Sequence, residues 1–352
     1  MKNSIKVRKQ YVTSFLRLLL RGVPIMAFVV ALTVPMASRA QVVMTNNDAL
    51  GTTSFNTAGW WNNGAAPSGG NTYDTDGYLL RSPTTVGSYT FAGNSLTIGT
   101  YSGGSGATAF SPVTANNDSF IVKIGGGSTY SANWILDGGQ IRDGLANGDT
   151  YTIGGTIAIT ANGGALLCQA TQNIAAAISG SSVLYIGDHG AGNNSNRIVV
   201  IQSALNTFNG NVVLTNSANN AYQSLLDLAP NSVWNFKPKA NGVNNSISGT
   251  GTLWLNGDLA FDLSTADNTV GDTWQIIAPA TSSFVVNYGA TFSINGFTQN
   301  GMLWDDYANN VDYEFNQATG ALTVVPEPST VALIGLGLGC CGLLLRRNHK
   351  RP

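Results

Sequence analysis

Short runs of β-branched and aromatic residues alternate with polar positions along most of this 352-residue chain, and apolar residues hardly ever recur at helical spacing. Gly and Asn separate the runs, while Glu, Lys and Arg, which favour helix, are scarce. The pattern predicts strands at 88–91, 95–98, 120–124, 134–136, 151–153, 156–160, 183–186, 197–201, 212–214, 225–228, 233–236, 252–255, 259–261, 274–277, 284–286 and 322–325. Turns are expected at Asn162-Gly163, Asn209-Gly210, Asn241-Gly242, Asn256-Gly257 and Asn295-Gly296. We therefore expect an all-β body over residues 41–325, as a solenoid, a sandwich or a barrel.

Two longer apolar runs, one near each end, do not follow this pattern. The first, Gly22 to Met36, follows six basic residues and precedes Ser38-Arg39-Ala40, whose small residues suit a signal peptidase. We expect residues 1–40 to be a signal peptide cleaved after Ala40, with an uncleaved signal anchor as the alternative. The second run, Thr330 to Leu345, carries no charge. As a helix it would span about 24 Å, a little less than a bilayer core of ~30 Å, and it predicts a single transmembrane helix.

The segment 326–352 has three parts in a fixed order: Pro326-Glu327-Pro328, the apolar run, and a basic end containing Arg346, Arg347, Lys350 and Arg351. The basic end predicts a cytoplasmic C-terminus, with the body on the other side of the inner membrane. The prolines cannot continue a helix, so Glu327 is expected on an extended, accessible strip. This arrangement resembles the PEP-CTERM tail of Gram-negative bacteria. The resemblance implies sorting by exosortase, a membrane-embedded cysteine peptidase; an ordinary membrane anchor is the alternative.

Removal of both ends changes the charge of the protein. The body keeps six of the 17 Lys and Arg residues but all acidic residues except Glu327, so its formal charge is −11. A nucleic-acid partner is therefore not expected, because it requires clustered Lys and Arg. Direct binding of an anionic polysaccharide is not expected either, unless calcium bridges the two. Cys168 is the single cysteine between residues 41 and 325, so the processed protein has no internal disulfide.

A sequence echo favours the solenoid among the three β architectures. The segment from Ile178 to Ile186 aligns without a gap on the segment from Ile247 to Leu255, and residues 91–98 are a looser third copy. A Gly at a turn followed by an alternating strand is what each rung of a β-helix requires. These residues, with Asn206-Thr-Phe-Asn-Gly210, resemble autotransporter-associated β-strand repeat proteins. That resemblance implies a right-handed parallel β-helix with an extracellular structural or adhesive role and no catalytic site.

Candidate chemistry in the body is sparse. Trp60, Trp61 and Tyr73 cluster in a Gly- and Asn-rich segment and could stack on sugar rings, but core packing is the favoured interpretation. Asp74 and Asp76 form a weak calcium candidate that lacks the later ligands of a calcium loop. Asp137, Arg142 and Asp143 are the nearest approach to the carboxylate group of a polysaccharide lyase or glycosidase, but they are not expected to converge. His189 is interpreted as a solvated turn residue.

Together these features predict an exported, non-catalytic protein without a cofactor. Its expected partners are signal peptidase and exosortase during export, the inner membrane through its tail, and an exopolysaccharide at the cell surface or in the extracellular matrix. A carbohydrate-binding module is the main alternative function. A β-helix polysaccharide lyase or glycosidase is a further one.

Overall fold

The computed structural model describes residues 41–48, 53–99, 119–145, 149–188, 197–215, 224–278 and 283–327. Within these ranges the chain forms 27 β-strands and one 3₁₀ turn, Leu263–Thr265, so the all-β prediction is confirmed. No helix in the described ranges has the length and hydropathy to cross a membrane. The predicted signal peptide with Ala40, the predicted helix 330–345 and the basic end lie outside the described residues.

The strands, in chain order, have the following bounds. They are β1 (Gln41–Val43), β2 (Thr72–Asp74), β3 (Leu80–Arg81), β4 (Ser88–Thr90), β5 (Ser95–Gly99), β6 (Ser119–Val122), β7 (Ser128–Asp137), β8 (Gln140–Asp143), β9 (Thr150–Ile159), β10 (Gly164–Cys168), β11 (Thr171–Ile174), β12 (Ala177–Gly180), β13 (Leu184–Asp188) and β14 (Ile198–Ile201). They continue as β15 (Val212–Thr215), β16 (Leu225–Leu228), β17 (Val233–Phe236), β18 (Ile247–Gly249), β19 (Gly251–Leu255), β20 (Asp258–Phe261), β21 (Thr273–Gln275), β22 (Phe284–Tyr288), β23 (Ser293–Ile294), β24 (Thr298–Asn300), β25 (Leu303–Ala308), β26 (Val311–Asn316) and β27 (Ala321–Val325).

Three of the four sheets are parallel. The first sheet has the order β1-β2-β5-β7-β9-β11-β14-β16-β19-β22, with β4 paired to β7 and β12 to β9. The second sheet has the order β18-β15-β13-β10-β8-β6-β3, and the third is β17-β20-β23. The strands β7 and β9 are ten residues long, and each pairs with two shorter strands along its length. Strand β7 pairs with β4 and β5, and β9 pairs with β11 and β12, so all six strands belong to the first sheet.

The chain returns to the same sheet at regular intervals. Thr171 pairs with Ile198, Ile198 with Leu225 and Leu225 with Thr252, so three successive circuits take 27 residues each. One circuit passes β16 in the first sheet, β17 in the third and β18 in the second, and then re-enters the first sheet at β19. Pairing of each strand with its counterpart one circuit later is consistent with a β-helix.

The interior is built from columns of apolar side chains, one from each circuit. One column in the second sheet runs through Leu80, Phe120, Ile141, Leu166, Ile186 and Leu214, which are Cα partners in turn and are at most 1% exposed. Paired residues in register point to the same side of a sheet, so these side chains stack on one another in the interior. Burial of such a side chain contributes about 1.5–3 kcal/mol to the free energy of folding. Because the body has no internal disulfide, these columns supply much of its stability.

The sequence echo marks corners between sheets. Gly180 ends β12 in the first sheet with φ of 118°, and Gly249 ends β18 in the second sheet with φ of 115°. A Cβ on Gly180 would lie 2.3 Å from the carbonyl oxygen of Ile159, and one on Gly249 would lie 2.1 Å from that of Leu214. Both corners therefore require glycine. The echo is one type of corner used at two different places in the circuit, so it does not mark a repeat of one whole circuit.

The side chain of Asn206 links adjacent circuits at the position before β17, where the third sheet has no strand. Its Oδ1 accepts the backbone N–H of Ile178 from the preceding circuit at 2.9 Å, and its Nδ2 donates to the carbonyl of Val233 in the following circuit at 3.0 Å. Phe208 is fully buried, and a Cβ on Gly210 would meet the carbonyl oxygen of Ser182. The Asn-Thr-Phe-Asn-Gly segment thus joins three circuits, fills the core and allows close backbone approach.

The C-terminal part departs from the parallel pattern. Strands β21, β27, β26, β25 and β24 form an antiparallel sheet in that order, which the strand pattern alone did not predict. Asn309 and Asn310, both with positive φ (52° and 63°), form the two-residue turn between β25 and β26. Such a turn reverses the chain at once, which a parallel connection cannot do.

Candidate functional site

The predicted sorting motif begins directly after the last strand. Val325 is the final residue of β27 and pairs with Asp312 of β26. Pro326 follows it and is exposed, and the hydroxyl of Tyr307 donates to Oε1 of Glu327 at 3.4 Å. Pro328 and the rest of the tail lie outside the described residues. The part of the motif that the structure describes therefore emerges from a folded sheet without an intervening loop.

Acidic side chains surround the start of this motif. Partial desolvation, followed by the nearby charges of Glu327 and Asp305, raises the pKa of Asp312 above its ordinary value. Desolvation and then Glu327 likewise raise the pKa of Tyr307. The edge of the antiparallel sheet next to the motif is consequently a region of negative potential.

Two of the three residues predicted as sugar-stacking candidates lie in the core. Trp61 is 2% exposed and Tyr73 is fully buried, and their rings meet edge to face with centroids 4.9 Å apart. Tyr73 also meets Phe91 edge to face, and its hydroxyl accepts the N–H of Ser68 at 2.9 Å. Because Trp61 and Tyr73 are buried, neither offers a stacking surface to a ligand, and both pack in the core as the favoured interpretation expects. Trp60 is half-buried and packs against the same core.

The weak calcium candidate is held by protein groups. Oδ2 of Asp74 accepts from Nε2 of Gln41 at 2.8 Å, and its Oδ1 accepts the N–H of Asp76 at 2.8 Å. Desolvation raises the pKa of Asp74, with Asp76 and Asp137 adding to the effect. No group of three or more His, Cys, Asp or Glu side chains in the described part of the chain is arranged to hold a metal ion.

The acidic residues considered for catalysis are separated and occupied. Asp143 is fully buried and accepts the N–H of Gln169 at 3.1 Å, so it caps a corner of the chain. Asp137 accepts from the hydroxyl of Thr160 and from Nδ2 of Asn162. Nε of Arg142 donates to Ser119 at 3.2 Å. Asp143 is thus enclosed in the interior, and Asp137 and Arg142 are engaged by protein groups; His189 lies outside the described residues.

A buried ion pair and a buried thiol lie in the interior beside Asp143. The Arg197 guanidinium donates to the Asp188 carboxylate, and their side chains are at most 1% exposed. Burial, with the charges of Asp143 and Asp188, raises the pKa of the Cys168 thiol well above its usual range. A neutral, enclosed thiol is a poor nucleophile, so these groups have a structural part in the core.

The exposed aromatic platform lies elsewhere, at Trp254. Trp254 is 46% exposed on the outer side of the first sheet, and its Cα partners are Asp227 and Asn287. Nδ2 of Asn256 donates to Oδ1 of Asp227 at 2.8 Å, which fixes a polar pair beside the indole. Sequence reasoning missed this residue, although alternation in Thr252-Leu-Trp-Leu255 places the two leucines inside and Trp254 outside.

Comparison with known proteins identifies the tail. A family model described as "PEP-CTERM protein-sorting motif" matches residues 324–348. No curated protein and no solved structure matches the chain. The match supports the predicted sorting motif. It indicates an extracellular protein that is exported, held in the membrane by its tail and processed by exosortase.

Proposed function

We propose that this protein is a non-catalytic structural or adhesive component of the cell surface or extracellular matrix, with a body that is a right-handed parallel β-helix. The observation that carries the proposal is the sorting motif placed directly after a body of stacked parallel circuits. Such a body presents long faces over which many weak contacts can be distributed. The candidate acidic residues are engaged in structural hydrogen bonds, which supports a scaffold over an enzyme.

The proposed partner is the exopolysaccharide of the matrix, and the proposed relatives of the body are the autotransporter-associated β-strand repeat proteins. The joining role of Asn206, Phe208 and Gly210 supports this relationship, because it gives three residues of the resembling segment a physical task in stacking circuits.

Processing and matrix function can be tested together in the native host. Replacement of Pro326, Glu327 and Pro328 by alanine should leave a longer, membrane-bound form, which mass spectrometry of the C-terminus would identify. Deletion of the gene should weaken the matrix, whereas Asp137→Ala should leave it unchanged. An intact tail on wild-type protein outside the cell, or turnover of a purified polysaccharide by the protein, would contradict the proposal.

A carbohydrate-binding module is the second candidate function, and the exposed indole of Trp254 is the observation that favours it. Trp254→Ala should weaken binding to isolated exopolysaccharide several-fold with little change in thermal midpoint, because a stacking surface is lost and no core is removed. Tyr307→Ala, which removes another exposed aromatic side chain, is the control. Equal binding by the wild-type protein and the Trp254 variant would eliminate this candidate.

A further inference from the structure

A polar groove lies where the loop 237–246 overhangs the corner of an earlier circuit. It encloses about 440 Å³, within the size range of small-ligand sites, and Asn209 and Asn211 lie on one side of it. Lys237, Lys239 and Asn244 line the side formed by the loop.

The loop is held in place by its own amide side chains. The N–H of Lys237 donates to Oδ1 of the buried Asn245 at 2.7 Å, and Nδ2 of Asn245 donates to the carbonyl of Asn235 at 2.9 Å. The N–H of Lys239 reaches the carbonyl of Val243 at 2.9 Å, which closes the loop on itself.

Contacts outside the loop fix its position. The indole N–H of the buried Trp274 donates to the carbonyl of Ala240 at 2.9 Å, and the N–H of Asn241 donates to Asp267 at 2.9 Å. The groove is therefore preorganised, which lowers the entropic cost of binding.

The charge of the groove is opposite to that of the body. Two of the six basic residues of the body line it, and no carboxylate does. Lys237 is engaged by Asp262, with Nζ 3.1 Å from Oδ2. Lys239 is exposed, and the described residues provide no ion-pair partner for it. Among the described residues, the groove thus offers one ammonium group without an ion-pair partner, on a body whose formal charge is negative.

The amides of the groove supply further hydrogen-bonding groups. Oδ1 of Asn211 accepts the N–H of Ser246 at 3.0 Å, which leaves its Nδ2 available as a donor. Nδ2 of Asn244 donates to two carbonyls at 2.8 Å, which leaves its Oδ1 as an acceptor. Val243, 51% exposed, adds a small apolar surface. One cation, amide donors and acceptors, and an apolar patch match a sugar ring that bears a carboxylate.

We propose that this groove binds a uronate residue of an acidic exopolysaccharide, with Lys239 pairing with the carboxylate and Asn211 and Asn244 contacting the hydroxyls. The inference rests on the proposed matrix function and specifies its partner. A densely charged polyanion fits poorly, because the net charge of the body repels it at long range and the described lining of the groove offers one cation without an ion-pair partner. A carboxylate on one sugar ring requires only that cation.

The experiment measures binding of methyl galacturonide, a single uronate ring, to the full-length chain in mild detergent by calorimetry. Lys239→Gln should weaken binding by about 10-fold or more, because a charge-assisted hydrogen bond is lost. The methyl ester of the same sugar should bind as weakly. Lys123→Gln, which removes the remaining lysine of the body just after β6 and outside the groove, should bind as wild type. The exposed position of Lys239 predicts an unchanged thermal midpoint.

Absence of galacturonide binding, equal binding by the Lys239 variant, or equal binding of the methyl ester would overturn the proposal. Equal binding of the ester would assign the groove to neutral sugars. If any of these results is obtained and deletion of the gene still weakens the matrix, the groove proposal is wrong but the proposed matrix function stands. A deletion with no effect on the matrix would defeat the proposed function itself.

Discussion

Replacement of Gly249 by alanine tests the corner that the sequence echo encodes. The new Cβ would lie 2.1 Å from the carbonyl oxygen and 2.7 Å from the nitrogen of Leu214, and φ is 115°. Leu214 cannot move away freely, because its strand β15 is paired on both sides, with β13 and β18. Backbone strain of about 1–3 kcal/mol and overpacking of about 1–3 kcal/mol together predict a loss of about 2–6 kcal/mol in the free energy of unfolding.

Gly242→Ala is the matched control for this substitution. Gly242 also has a positive φ, 75°, but a Cβ added there would have no atom within 4 Å. Only the left-handed conformation should cost energy there, about 1–2 kcal/mol. Urea unfolding of the full chain in detergent, followed by tryptophan fluorescence, measures both variants. Equal losses, or a loss for the Gly249 variant below the strain cost of about 1 kcal/mol, would refute the assignment of the echo to a sterically closed corner.

Three further predictions follow from the interior and from the acidic groups. Asn206→Ala should lower the free energy of unfolding in urea by about 3 kcal/mol, because the N–H of Ile178 and the carbonyl of Val233 lose their hydrogen bonds to its side chain. Asn209→Ala, at an exposed position, should lower it little. Similar losses for the two variants would contradict the joining role of Asn206. Arg197→Met should cost about 3–5 kcal/mol by removing the guanidinium that pairs with the buried Asp188 carboxylate, and adding Asp188→Asn should recover part of the loss; no recovery would argue against the ion pair as the cause. Desolvation raises the pKa values of Asp74, Asp306, Asp312 and Glu314, so the native state binds protons more tightly than the unfolded chain, and the urea midpoint should rise as the pH falls from neutral towards the unfolded-chain carboxyl pKa values of about 4. Asp74→Asn should reduce that dependence, and a higher midpoint at the upper end of this pH range than at the lower end would count against it.

Strand positions were predictable where one side of the strand faces the core and the other faces solvent. The alternation in Leu225-Leu-Asp-Leu228 is an example: its burial alternates as expected, and the predicted bounds agree with β16. Strand β10, Gly164–Cys168, was missed because all five residues are buried, so the segment shows no alternation. The antiparallel sheet was missed for another reason. A single strand has the same period of two in either orientation, and pairing direction depends on distant residues.

The candidate site was harder to predict than the fold. A cluster of Trp and Tyr has the same sequence signature in a core as on a sugar-binding face. The isolated bridge between Met44 and Trp61, which carries Trp61 inside, depends on contacts across 17 residues of chain. The groove at Lys239 brings together corners from different circuits, so its parts are far apart in sequence. The charge count predicted an acidic body correctly, but it could not show that two of the six basic residues meet in one place.

The sorting motif and the fold constrain each other. Val324 is 1% exposed inside the antiparallel sheet, Val325 is still paired, and Pro326 has no N–H with which to extend the ladder. An extended chain covers about 3.6 Å per residue, so at most about 18 Å separates Val325 from Thr330, where the apolar run begins. Before processing, the folded body must therefore stay close to the membrane-bound segment. Exosortase must accept a substrate whose last strand ends directly before the motif, and the acidic side chains of Asp305, Asp312 and Glu327 lie near one another at the start of that motif.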